Sequence, residues 1–146
     1  MYLNFIEATL ECKKRGVSLP GGYETLAMEL WDDLRDRSGL DGIKTIYPEA
    51  TTEKLIELCR QERRIELAFE NHRYFDTRTW MIAEEVDGGP MYGMNTLCPG
   101  SGDTSPAGYW ERVVFETRVF KSNHYLYPFS QRELDRNKLL IQNYGW

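Results

Sequence analysis

Cysteine and histidine are scarce in this 146-residue chain, with three Cys and two His. Cys12, Cys59 and Cys98 are far apart, and no CxxC or Cys/His cluster occurs. That excludes a zinc site of ordinary spacing, and an odd count gives no closed disulfide framework. Cys12 and Cys59 therefore read as small buried hydrophobes. Basic residues are the minority charge: 18 Lys and Arg stand against 23 Asp and Glu, for a net charge of −5. Nucleic-acid phosphates need clustered Lys and Arg, so that partner class is disfavoured. No apolar run approaches the ~20 residues that cross a bilayer. The opening MYLNFIEATLECKKRG has no basic segment followed by an apolar one, so it is not a signal peptide. Glu11 is also the wrong neighbour for a processed lipoprotein Cys12, and any export signal is expected outside this segment.

What is present is a globular composition, 41% hydrophobic and 13% aromatic, of a length that suggests a single domain over residues 1–146. Leu3, Ile6 and Leu10, with Tyr2 and Phe5 beside them, predict a helix from Tyr2 to about Lys14, with Gly16 as its stop. After the turn formers of SLPGG, Tyr23, Leu26, Ala27, Leu30, Trp31 and Leu34 follow the spacing i, i+3, i+4, i+7, i+8, i+11. Arg35 and Arg37 lie in the last turn of that second helix, and Gly39 supplies its left-handed end. The two helices predict an αα-hairpin. Residues 40–51 read as a loop, and a third helix should start at Thr52, as its N-cap, and run to Tyr74 or beyond. Residues 84–112, rich in Gly and Pro, predict a long irregular region. Residues 113–120 predict one short strand, and residues 130–137 one or two helical turns.

The stretch ERRIELAFENHRYFDTRTW (62–80) interleaves charges with large apolar side chains. On one helix, Glu53, Glu57, Arg60, Arg64 and Asn71 share a solvated face. Glu62, Glu66 and Arg73 fall instead beside Leu55, Cys59 and Phe69. Burying an unpaired charge is costly, so these need partners. Arg63 with Glu66, and Glu70 with Arg73, stand at i, i+3. Acid–base catalysis is disfavoured, because a glycosidase needs carboxyls facing across a cleft about 5–9.5 Å apart. A bundle-type metal site is disfavoured because no Glu-x-x-His occurs. The leading reading of Glu62, Glu66, Glu70, Arg63 and Arg73 is a structural charge network that ties down an irregular backbone.

This stretch resembles the signature of the SusD/RagB family of outer-membrane, surface-exposed nutrient-binding lipoproteins. YLYPFSQRELDRNKLLIQNYGW (125–146) is similar to the family's closing segment. YLNFIEATLE (2–11), with LWDDLRDRSGL (30–40), resembles the helix pair that precedes the signature, where Arg35, Arg37, Gly39 and Leu40 match an Arg-x-Arg-x-Gly-Leu pattern. Asn71 stands where the family usually has Gly, and Ser130 and Tyr144 where it usually has Pro. The resemblance implies a mainly α fold: a TPR-like helix pair plus a third long helix, long irregular loops and an extended C-terminal segment. It covers only the C-terminal portion of a family member. It further implies non-catalytic capture of oligosaccharide or other nutrient, no cofactor, and delivery to a SusC-like TonB-dependent transporter. The place would be the cell surface at the outer membrane of a Gram-negative bacterium, held by a lipid anchor that this chain lacks. A small TPR-like protein-interaction module is the alternative.

Sugar sites set aromatic faces against pyranose rings. In the Gly/Pro-rich region Tyr92, Tyr109 and Trp110 are the aromatic candidates for such contact, since loops on a scaffold often carry binding. Trp31 and Trp80 read as core, and His124 as a surface or strand-end residue.

Overall fold

The structure is a computed structural model that describes residues 1–96 and 111–146. The chain divides into two compact units, Met1–Arg73 and Tyr74–Trp146. The fold is mainly helical, as the sequence predicts.

The first unit holds α1 (Tyr2–Lys14), α2 (Tyr23–Asp36), α3 (Ile43–Ile46) and α4 (Thr52–Glu66). Gly16 and Gly22 take left-handed backbone (φ 67 and 86) in the joint between α1 and α2, which L side chains resist. Leu3, Ile6 and Leu10 of α1 meet Ala27 and Trp31 of α2, Ile43 of α3, and Leu55, Ile56 and Cys59 of α4 in one core. Helical periodicity in three segments thus converges on one apolar centre. Cys59 is fully buried there, and desolvation, with Glu7 nearby, pushes its thiol up to about 12.

Three sequence expectations change in this unit. The 40–51 loop contains α3, whose first N–H (Ile43) donates to Asp32 Oδ1 at 2.9 Å. Gly42 lets the chain come that close, since a Cβ on it would lie 2.8 Å from the same oxygen. The N-cap of α4 is Thr51, whose hydroxyl accepts from the Lys54 N–H at 3.3 Å. The third helix does not run to Tyr74: it stops at Glu66, and α5 (His72–Thr79) begins after a five-residue turn, 67–71. Phe69 and Asn71 are left-handed in that turn (φ 67 and 64), which no α-helix can contain. Asn is the non-Gly residue that tolerates this best, and it stands where the family usually has Gly.

The second unit takes up most of α5, then α6 (Ala83–Val86), β1 (Gly89–Met94), β2 (Arg112–Arg118), a 3₁₀ helix (Ser122–Tyr125) and α7 (Gln131–Arg136). The segment expected to be irregular therefore holds a strand. β1 pairs antiparallel with β2, with Tyr92 opposite Val114 and Met94 opposite Arg112, and an irregularity between Met91 and Tyr92. Imperfect alternation hid this hairpin, because the register shifts inside it.

The extended tail is fastened by side chains that stand in for backbone. Gln142 accepts from the Phe129 N–H at 2.8 Å and donates to the Phe129 carbonyl at 2.9 Å. Asn143 donates to the Tyr127 carbonyl at 2.6 Å. The Trp146 indole donates to the carbonyls of Asn123 (2.9 Å) and Leu126 (3.0 Å). Gly145 is left-handed (φ 81), and a Cβ on it would sit 2.7 Å from the Asn123 Cβ. Arg78 lies over the Tyr74 ring at 3.5 Å and pairs with Asp87 at 3.7 Å, while Thr77 donates to the same Asp87 carboxylate at 2.7 Å.

Candidate functional site

The charges of the signature pair between helices. Arg35, near the end of α2, donates from Nη1 to Glu62 Oε2 at 2.7 Å and from Nε to the Asp41 carbonyl at 2.7 Å. The two side chains are only 10% and 14% exposed. One turn along, Arg37 pairs with Glu66. Arg63 donates to Asn4 Oδ1 at 2.5 Å. Arg60, assigned to the solvated face by periodicity, is half-buried and spans Glu7 (3.1 Å) and Glu11 (3.2 Å) of α1. The helix-face argument is thus corrected for Arg60, because α1 packs along that side of α4.

Glu70 and Arg73 flank the left-handed Asn71, so the i, i+3 geometry expected for them on a continuous helix does not exist. Glu70 is exposed and Arg73 half-buried. Glu62 and Glu66, the members of the predicted network that receive guanidinium partners, receive them from the Arg-x-Arg of α2. Sequence reasoning missed that role for Arg35 and Arg37, although both stand in the quoted pattern.

Of the aromatic candidates, Tyr92 lies on β1, which pairs with β2. Tyr92 is half-exposed, and the Arg112 guanidinium lies 4.6 Å from its ring centroid. Pro90, Met94 and Val114 join it on one exposed face, as the register requires. Tyr109 and Trp110 lie outside the described residues. Arg112, not picked out by the sequence reading, is brought to Tyr92 by the strand pairing alone. An exposed ring with a guanidinium at its side can stack on a sugar face and donate to its hydroxyls.

Trp31 is fully buried in the first core, and its indole N–H has no hydrogen-bond partner. Trp80 is half-buried. His124 lies in the 3₁₀ helix, where its Nδ1 accepts from the Lys121 N–H at 3.2 Å. Among the described residues, no group of three or more His, Cys, Asp or Glu could hold a metal ion. Among them, too, no helix is long and apolar enough to cross a membrane.

Comparison with known proteins identifies the family and the fold. The model of the SusD family matches residues 1–146. A SusD-like protein (BF3747) from Bacteroides fragilis NCTC 9343 is 32% identical with a TM-score of 0.75, over 99% of this chain and 24% of that one. The protein BT4246 shares the fold at 23% identity and a TM-score of 0.75, over 99% of this chain and 22% of its own. Its selenomethionine form aligns with a TM-score of 0.74. The chain therefore spans about a quarter of the length of the solved relatives it matches. Comparison with curated proteins gives no match. With its helix pair, its signature and its closing segment all covered by one family model, the chain belongs to the SusD family.

Proposed function

We propose that the chain serves non-catalytic capture of oligosaccharide or a comparable nutrient at the outer-membrane surface, with delivery to a SusC-like TonB-dependent transporter. The family match over the whole chain is the observation that carries this reading. The hairpin supports it locally, since Tyr92 and Arg112 present a ring and a donor side by side at the surface. Tyr109 and Trp110 are proposed as further aromatic contacts for the ligand. The charge network is proposed to hold the scaffold while contact with ligand is made elsewhere. Glu62 and Glu66 are each held by an arginine, which suits a fixed frame better than proton transfer.

The test is a glycan array followed by calorimetry on the chain and on Tyr92→Ala. Oligosaccharide binding should weaken about tenfold or more in the variant, the usual scale for losing an aromatic stacking face. Binding unchanged in Tyr92→Ala removes the hairpin from the site. Absence of binding to any glycan removes the carbohydrate reading, and a pull-down with the transporter then decides the delivery step. A peptide-binding TPR-like module is less well supported, because such repeats stack stably in numbers of about three or more and α1–α2 is a single pair.

A further inference from the structure

The first unit carries a cleft of about 330 Å³, at the small end of the range for small-molecule sites. It opens where α1, α2, α3 and the first turn of α4 meet. Its floor is the edge of the core: Leu10 and Leu55 belong to that core, and Met28 packs against it. An apolar body seated there would extend the core, driven by the same escape from water that assembles it.

Two polar groups set the chemistry of this apolar lining. Thr9 is only 3% exposed and lines the cleft, yet among the described residues its hydroxyl has no hydrogen-bond partner. A helical threonine ordinarily gives its hydroxyl to a carbonyl one turn back. A hydroxyl held out of water without a partner is costly, so this one is left for a group that enters the cleft. Among the charged residues of the lining, Lys13 of α1 is taken by Glu24 of α2. Lys44 of α3 is not taken: among the described residues its ammonium has no partner. The close approach of Gly42 to Asp32 anchors α3 and so holds Lys44 at the cleft. Two ammoniums against one carboxylate leave the lining positive.

We infer that this cleft binds a small monocarboxylate with an apolar body, such as a short- or medium-chain fatty acid. The alkyl chain lies on Leu10, Met28 and Leu55. The Lys44 ammonium answers the carboxylate, and the Thr9 hydroxyl donates to one of its oxygens. A saccharide suits the cleft poorly, because its many hydroxyls would face an apolar floor. An alkylammonium suits it poorly because the lining is positive. The site uses no residue of the hairpin and stands whether or not the hairpin takes a glycan.

The experiment is backbone-amide chemical-shift mapping of the full chain with hexanoate, 1-hexanol, hexylammonium and maltose, each to about 20 mM, a range that captures millimolar affinity. The expected result is saturable shifts at Thr9, Leu10, Met28 and Lys44 with hexanoate. Hexanol and hexylammonium should bind at least about fivefold more weakly, and maltose should give no shift. Thr9→Val keeps the shape and removes the hydroxyl, and should weaken hexanoate about threefold or more. Lys44 is exposed, so Lys44→Glu folds and keeps the test decisive. That variant should lose the preference for hexanoate over hexylammonium. The inference is overturned if hexanoate gives no saturable shift at these amides, or if hexanol or hexylammonium binds as tightly. It is overturned equally if either variant takes hexanoate as well as the parent, or if maltose is what titrates the cleft. Shifts that follow protein concentration instead of hexanoate would give the cleft to a second copy of the chain and overturn it too.

Discussion

Arg35 and Glu62 meet almost out of solvent, and each answers the other's charge. Removing Glu62 strands a guanidinium that still donates to the Asp41 carbonyl but has lost its counter-charge. Glu62→Ala should lower the unfolding free energy by roughly 2–4 kcal/mol in urea titrations, the scale for breaking a largely buried pair. Arg73→Ala, by contrast, should stay within about 0.5 kcal/mol, because among the described residues its guanidinium has no partner to strand. Phe69 gives a third contrast. It is fully exposed and left-handed, so Phe69→Gly relieves backbone strain and surrenders no burial. Thermal and urea melts should show that variant stabilised by about 0.5–1 kcal/mol, net of the extra freedom glycine gives the unfolded chain. Cys59 makes a pH statement. Its folded thiol is held neutral up to about 12, against an ordinary value of 9.0. The folded state therefore binds more protons than the unfolded state between those values. The contribution is intact below about pH 9 and drains away as pH rises toward 12. Alkaline melts should show that decline, and thiol reagents at pH 8 should modify half-exposed Cys12 well before Cys59.

At the scale of the element, α1, α2 and α4 were legible because each repeats its apolar residues at helical spacing, and that spacing is what buries Leu10, Trp31 and Leu55. Three things were not. The stop of α4 carries neither Gly nor Pro, and Asn71, the one helix-end signal in AFENH, is weaker than the Gly it replaces. The β hairpin was obscured because its two strands flank a long insertion and one of them shifts register. The partners of Glu62 and Glu66 lie 27 and 29 residues away, beyond the reach of any i, i+4 rule. What could have found them is the Arg-x-Arg repeat itself, two donors at the end of a helix beside acidic residues. The sequence predicts an extended tail, yet its fastening by Gln142, Asn143 and Trp146 depends on carbonyls of residues 123–129 that sequence does not place. Gly145→Ala should free that end: hydrogen exchange at the Trp146 amide and the indole N–H should accelerate by at least about tenfold, as expected when a local clasp opens.

At the scale of the molecule, the two units are unequal. Nearly all the buried apolar side chains among the described residues belong to the first unit. In the second they are represented by Ala83, with Asp76 and Thr77 buried beside it. The second unit also exposes Phe75, Met81, Tyr127, Leu139, Ile141 and Tyr144. Apolar burial is the main source of cooperative stability, so the units should not melt together. Hydrogen exchange should show amides of 74–146 opening at lower free energy than those of α1, α2 and α4. Tyrosine and helix signals should give non-coincident urea transitions. Coincident transitions would mean that the thin core of the second unit understates its stability.

The Arg35–Glu62 clasp has a kinetic consequence. It joins residues 27 apart, so it cannot form until α2 and α4 are both nearly whole and side by side. The helical hairpin α1–α2, joined through a short link, closes sooner. A bond made late belongs to the native side of the barrier. Disrupting it should therefore leave the refolding arm of a chevron almost unmoved and raise the unfolding arm, shortening the lifetime of the folded scaffold rather than delaying its formation.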